Sequence, residues 1–264
     1  MHLLGFGLAA LMGLVLGTLG GGGSILTVPI LVYVLGYDAK AAIGMSLAVV
    51  GVTSAVGALG HWHAGNVRPR PAAVFAGCAV AGTVLGTRLA TLVSGPFQLT
   101  LFAIVMLLAA GFMLRGPAER AADATGPARP PRSMLLTGLD GLAVGALTGL
   151  VGVGGGFLIV PALVVLGGLP MHQAVGTSLA VIAVNALVGF AGYLDQIIVD
   201  WAFMLAFTAC AVAGIIAGSR LAGRIPARSL RRAFAVLLLL MVSFMLYRNR
   251  AVLLSRPPTA QTVS

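Results

Sequence analysis

The sequence predicts an all-α, polytopic integral membrane protein made of two homologous halves in inverted orientation, with about eight full spans and two short broken or re-entrant helices. Three observations carry this expectation: too few charges to clothe a soluble surface, an internal repeat held at one spacing, and a glycine cluster beside a short apolar segment in each half. Of the 264 residues, 59% are hydrophobic and 8% charged, against roughly a quarter charged in an ordinary soluble domain. Sixteen basic and six acidic side chains cannot cover a soluble fold of this length, so lipid must supply the missing solvent.

The repeat organises the chain. Residues near 13 to 114 match residues near 145 to 246 at a constant offset of 132 without a gap, a register that shared composition alone would not hold. Gly20, Gly22, Gly23 and Pro29 fall on Gly152, Gly154, Gly155 and Pro161. Ser46-Leu47-Ala48-Val49 falls on Ser178-Leu179-Ala180-Val181, Cys78 to Gly82 on Cys210 to Gly214, and Arg88-Leu89-Ala90 on Arg220-Leu221-Ala222. The chain therefore divides into a first transmembrane repeat (1–114), a linker (115–133) punctuated by Pro117, Pro127, Pro130 and Pro131, a second transmembrane repeat (134–247) and a polar tail (248–264).

Each half holds five apolar segments: 3–19, 24–36, 42–60, 72–93 and 98–114, then 134–151, 156–168, 174–194, 202–222 and 230–247. The N-terminal Met1-His2-Leu3-Leu4 has no Lys or Arg ahead of its apolar run and no small-residue cleavage site close behind, so the first segment is expected to be a retained helix. The second segment of each half is too short to span. Beside a glycine cluster it reads as a re-entrant or broken helix, which survives at membrane depth only where protein or a water-filled cavity surrounds it.

Charge counting chooses the topology. If segments one and two of each half form a hairpin, the Arg68/Arg70 loop, the linker and the Arg220 to Arg232 loop share one side with eleven Lys and Arg, against five opposite. A single kinked span would give nine against seven. The hairpin model, in which the halves are inverted, fits the positive-inside rule better and puts the linker in the cytoplasm and Asp195 and Asp200 outside. The net charge of +10 and the isoelectric point near 11.3 are accounted for by these segment ends and loops. No aromatic-interleaved basic patch of the nucleic-acid-binding kind occurs, so no nucleic-acid partner is expected.

The glycine clusters carry the functional reading. Each glycine costs about 1 kcal/mol in a helix interior, so the run Gly20 to Gly23 favours a break. The helix that resumes after a break points backbone N–H groups and the positive end of its dipole into the gap, making an anion site that needs no charged side chain. Pro29 and Pro161 are expected near the first turn of the resumed helix, where a missing N–H does least harm. Gly21, Gly22, Gly23 and Ser24, with Gly154, Gly155 and Gly156, are the candidate lining. The competing account is close helix packing of the small-xxx-small kind. Ser46, Thr177 and Ser178 open the third segment of each half and are candidates to bond a substrate oxygen, although such hydroxyls often bond the carbonyl four residues back. Asn185 is a mid-segment amide, a candidate for the site but expected first to be glue between helices.

The remaining polar residues read more plainly. Arg88 and Arg220 follow Gly-Thr and Gly-Ser at matched positions; they are candidates to attract an anion at opposite mouths, but are expected first to anchor the topology by snorkelling. His61 and His63, separated by two positions, point to different helix faces and make no metal pair. Asp140 is the one carboxylate inside an apolar segment, a candidate proton-coupling group or an interfacial cap. Cys78 and Cys210 lie in apolar runs and build no disulfide framework. No catalytic constellation, Walker-type lysine or metal-ligand spacing is present, so the chain is not expected to be an enzyme or to carry a cofactor or metal.

The stretch Gly149-Leu150-Val151-Gly152-Val153-Gly154-Gly155-Gly156 leading to Pro161, and Gly176-Thr177-Ser178-Leu179, both echoed in the first half, resemble the TauE/SafE family of membrane permeases, also called the toluene-sulfonate uptake permease family. The resemblance covers nearly the whole chain. In the first half Met45 stands where the second has Thr177. The resemblance implies a multi-pass permease of the bacterial inner membrane that moves sulfite, sulfonates or related sulfur-containing anions. The reading is therefore a secondary transporter for a small anion that works by alternating access and draws on a gradient. An anion channel of the same architecture is the runner-up, and an intramembrane enzyme a distant third. The expected partners are the anion and the lipid bilayer. The oligomeric state is left open, a homo-oligomer included.

Overall fold

The structure, a computed structural model, describes residues 2–90, 92–93, 95–115, 133–151, 156–194 and 199–248. These form ten helices: α1 (His2–Leu19), α2 (Gly22–Pro29), α3 (Ala39–His63), α4 (Pro69–Ala90), α5 (Gly95–Arg115), α6 (Met134–Val151), α7 (Gly156–Pro161), α8 (Met171–Tyr193), α9 (Trp201–Ala222) and α10 (Ala227–Arg248). No strand occurs among the described residues. Lys40–His63, Pro69–Leu89, Met171–Gly192 and Trp201–Ala222 are each long and apolar enough to cross a bilayer unaided. The linker prolines, the tail after Arg248, Gly152, Gly154, Gly155 and Asp195 lie outside the described residues.

Several helices begin about three residues before their apolar runs, because polar first turns extend them into the loops. Asp38 caps α3 by accepting from the Lys40 N–H at 3.0 Å, and Asp200 caps α9 by accepting from the Phe203 N–H at 3.1 Å. Both are N-caps of the ordinary carboxylate kind, satisfying first-turn donors that have no partner in the helix.

The prolines sit later than the sequence predicts. Pro29 ends α2 and Pro161 ends α7, and each is followed by a π-helical turn, Ile30–Val34 and Ala162–Leu166. A proline inside a helix donates no N–H and its ring crowds the carbonyl four residues back, so the ladder widens there. The two halves solve this identically. The Leu35 N–H reaches the Ile30 carbonyl at 3.1 Å and the Tyr37 N–H the Leu31 carbonyl at 3.0 Å. Gly167 and Leu169 repeat those bonds to Ala162 and Leu163 at 2.8 and 3.0 Å.

The first two helices form a hairpin. A Cβ at Gly23 would lie 2.6 Å from the Met12 carbonyl oxygen and from Leu16 Cβ, and one at Gly5 would lie 2.8 Å from Leu35. The start of α2 therefore faces the end of α1, and the chain returns to the level where α1 begins. The turn is made at Gly20, whose φ of +77° suits glycine.

The halves are built into each other. α1 packs on α9 and α4 on α6, each pair running in parallel with backbones in contact. Gly13 and Gly17 of α1 meet the carbonyls of Ala211 and Ile215, while Gly214 and Gly218 of α9 meet those of Ala10 and Leu14. Gly145 and Gly149 of α6 meet Ala79 and Thr83, and Gly82 and Gly86 of α4 meet Leu142 and Ala146. A Cβ at any of these eight positions would strike backbone, so the small-xxx-small spacing is what lets these helices touch. The central pair α3 and α8 occupy equivalent positions in the repeat and run antiparallel: Gly51 and Gly57 meet Leu187 and Leu179, and Gly189 meets Leu47.

Candidate functional site

The two broken helices meet at the centre of the bundle. Gly21, the N-cap of α2, packs against Gly156 at the start of α7 so closely that a Cβ on Gly21 would collide with the Gly156 carbonyl and lie 3.3 Å from Phe157 Cα. Gly21, Gly23 and Gly156 are all buried. Gly22 and Ser24 occupy the first turn of α2, and Gly21 supplies no side-chain cap to that turn. First-turn N–H groups have no acceptor within their own helix, so the end of α2 brings positive dipole into the bundle interior.

Ser178 ties this centre to α8. Its hydroxyl lies 2.8 Å from the carbonyl of Gly20, at the break, and 2.8 Å from that of Val175 in its own helix. Thr177 is fully buried and accepts from the Arg68 N–H at 3.1 Å, fixing the loop between α3 and α4 to α8. Ser46, equivalent to Ser178, donates to the Ile43 carbonyl three residues back at 2.7 Å, and Met45, equivalent to Thr177, is buried in the core. Asn185 is half-buried, and its enclosed Oδ1 accepts no hydrogen bond among the described residues. The fully buried Ser54 Oγ on α3 is unpartnered in the same way. The structure thus brings Gly21, Gly156 and Ser178 together around Gly20, and leaves Asn185 further along α8. Gly154 and Gly155 lie outside the described residues.

The two ends of the bundle differ. At one, Tyr37 donates to the Asp200 carboxylate at 3.4 Å, joining the α3 cap region of one half to the α9 cap of the other. Burial raises the Tyr37 pKa above its ordinary 10.0, and the Asp200 charge and hydrogen bond act in the same direction. At the other end, Arg68 Nε donates to Gln173 at 3.0 Å and the His172 ring lies 3.2 Å from the Ala222 and Ile225 carbonyls. His61, only 3% exposed, bonds the Gly17 carbonyl through Nε2 at 3.2 Å. It lines a cavity of about 360 Å³ between the C-terminal ends of α3 and α9, with Asn66, Ser219 and Arg220. Neither the cavity nor the burial of His61 was legible in the sequence, where His61 and His63 read only as two side chains on different helix faces. Among the described residues no group of three or more His, Cys, Asp or Glu side chains could hold a metal ion.

An all-helical apolar bundle of two interlocked halves, with broken helices meeting at its centre, is the architecture of a polytopic membrane transporter. The comparisons with known proteins agree. The family model described as sulfite exporter TauE/SafE matches residues 5–245, and the chain belongs to that family. A probable membrane transporter protein of Xylella fastidiosa is 34% identical over 94% of this chain and 96% of its own length. The probable membrane transporter protein YdhB of Bacillus subtilis is 28% identical over 84% and 91%, and one of Methanocaldococcus jannaschii is 25% identical over 80% of both chains. No solved structure matches the chain.

Proposed function

We propose that the chain is a secondary transporter of a small anion, with sulfite, a sulfonate or a related sulfur-containing anion as its substrate class, working by alternating access. The observation that carries this reading is the meeting of the α2 and α7 N-termini at Gly21 and Gly156, where the capping residue of α2 is a glycine with no side chain to satisfy the first-turn donors. Such an end binds an anion through backbone N–H groups and dipole, and needs no basic side chain at membrane depth. The substrate class rests on the family, whose model is described by sulfite export. The candidate lining is Gly21, Gly22 and Ser24 of α2 with Gly156 of α7, and Ser46, Thr177, Ser178 and Asn185 are the candidate polar contributors; Gly23 faces α1, and Gly154 and Gly155 lie outside the described residues.

The two transmembrane repeats, 1–114 and 134–247, form an inverted pair of eight long helices and two short broken ones. The antiparallel run of the equivalent helices α3 and α8 supports the inversion, and the α1–α2 hairpin supports the odd number of crossings it requires. The end that carries Arg68, Arg220 and the linker then faces the cytoplasm of a bacterial inner membrane. The test is uptake into liposomes of the purified chain, with sulfite and an aryl sulfonate as substrates. Saturable uptake stimulated by anion on the far side supports the carrier. Single-channel currents would replace it with a channel, and flux no greater than in empty liposomes for every sulfur anion tried would remove the substrate class.

A further inference from the structure

The cavity between the ends of α3 and α9 is walled by Val56 and Ile216 and carries four polar side chains: His61, Asn66, Ser219 and Arg220. Its lining includes no carboxylate, and among the described residues neither the Arg220 guanidinium nor the Asn66 side-chain amide has a hydrogen-bond or ion-pair partner. Asp38 and Asp200, which would neutralise a cation, cap helices at the opposite end of the bundle. The cavity also borders the functional centre. His61 bonds the carbonyl of Gly17, and Gly17 precedes the break at Gly20 by less than one helical turn.

We propose that this cavity is an oxyanion-binding vestibule, in which Arg220 and Asn66 grip a small sulfur or phosphorus oxyanion beside His61 and Ser219. The proposal rests on the transport reading only for where the anion goes next, since the binding itself stands on the lining. Arg220 offers a planar fork of donors that matches paired oxygens of a sulfate-like group. Asn66 offers two further amide donors. The Ser219 hydroxyl, which bonds the Ile216 carbonyl of its own helix at 3.1 Å, can exchange that bond for an anion oxygen. A volume of about 360 Å³ holds such an ion with part of its hydration shell.

The repeat sharpens the assignment. At the offset of 132, Arg220 and Ser219 correspond to Arg88 and Thr87, whereas His61 and Asn66 correspond to Tyr193 and Ile198. The duplication therefore supplies the arginine and a hydroxyl to both ends, while the imidazole and the amide belong to this end alone. A phospholipid phosphodiester shares the chemistry of a free oxyanion, so the experiment has to separate the two sources.

The full chain, carrying ¹³C-labelled histidine in phospholipid-free detergent micelles, is titrated with sodium sulfate and with sodium chloride at equal ionic strength. His61 is assigned among the four histidines by its loss in His61→Gln. Sulfate is expected to move the His61 resonance saturably where chloride does not, and Arg220→Gln to raise the half-saturating concentration tenfold or more. If Arg220→Gln does not insert, Asn66→Asp puts a carboxylate on the lining and is expected to do the same. Phosphatidylglycerol added in place of sulfate identifies a lipid occupant if it alone moves the resonance. No saturable response to either probe, or an unchanged response in both variants, overturns the vestibule. Sulfite uptake by the same preparations separates the two readings: sulfate binding without uptake keeps the vestibule and sinks transport, and uptake without binding does the reverse.

Discussion

The hydroxyl of Ser178, on the third helix of the second half, lies 2.8 Å from the carbonyl of Gly20, the turning residue of the first. This bond holds the glycine break from the other half of the chain and couples the hairpin α1–α2 to α8. Removing it should therefore be felt at the centre of the molecule. Ser178→Ala is expected to cost about 1–3 kcal/mol, the penalty for an orphaned buried polar group, and to lower the melting temperature in detergent. Ser46→Ala removes only a bond within its own helix, to Ile43, and is expected to cost clearly less. Equal losses in the two variants would show that the crossing bond adds nothing.

Close backbone contact between α1 and α9 and between α4 and α6 makes a second prediction. A Cβ at Gly86 would meet the Ala146 carbonyl and lie 2.8 Å from the Leu150 nitrogen, whereas nothing lies within 4 Å of a Cβ at Gly77 on the same helix. Gly86→Val should therefore abolish or strongly reduce folded protein in the membrane. Gly77→Ala should be neutral or stabilising by roughly 0.5–1 kcal/mol, because alanine is the better helix former. Melting curves of the two purified variants decide it, and a Gly86→Val protein as stable as the parent would refute the packing account.

Much of this was legible in the sequence, because apolar runs and a repeat register are properties of the chain itself. All ten segments are helices, and the second of each half is the short one after a glycine cluster. What each glycine does was not legible, since a neighbour in space has no signature in the chain. Gly23 reads in the sequence as an anion-lining residue ahead of a packing one, whereas its Cβ direction points at Met12 and Leu16 of α1. Gly21 turns instead toward Gly156 of the other half. The prolines were misplaced for a related reason: the pattern fixes where the helix resumes only to within a turn, and Pro29 falls at its end rather than its start. The pairing of α1 with α9 and α4 with α6 depends on how the halves interlock, which the repeat alone does not specify.

Gly23→Ala separates packing from lining. With a Cβ 2.6 Å from both the Met12 carbonyl and Leu16 Cβ, the variant should lose thermal stability together with uptake, as an overpacked contact between the two arms of the hairpin. Lost uptake with an unchanged melting temperature would reassign Gly23 to direct contact with the anion.

Tyr37 and Asp200 offer a test at the other end. The Tyr37 hydroxyl must keep its proton to donate to the Asp200 carboxylate, and burial together with that charge raises its pKa above 10.0. A group whose folded-state pKa is raised contributes fully below its unfolded value and loses that contribution as pH rises through the folded one. The contact should therefore persist to about pH 10 and weaken only above it. Ultraviolet titration of the four tyrosines should show a component ionising late in the parent and missing in Tyr37→Phe. If the late component survives the substitution, it belongs to another tyrosine and the contact does not hold in the membrane protein.

The topology follows from which loops share an end. Arg68 of the α3–α4 loop bonds Gln173 and Thr177 at the start of α8, and His172 lies against the carbonyls of Ala222 and Ile225 after α9. Those three connections must lie on one face. Tyr37 before α3 and Asp200 before α9 must lie on the opposite one. In the proposed orientation, which follows the positive-inside rule, the first face, with Arg68, Arg70, Arg220, Arg224, Arg228, Arg231 and Arg232, is expected in the cytoplasm. In a background with Cys78 and Cys210 replaced, single cysteines at Asn66 and Gly223 should resist a membrane-impermeant maleimide applied to whole cells and react once the membrane is opened. A cysteine at Gly36, in the turn where φ is +77° and nothing crowds a Cβ, is strained but should still report the outside by reacting in intact cells. Labelling of Asn66→Cys and Gly36→Cys from the same side would break the hairpin model, because α3 would then fail to cross between them.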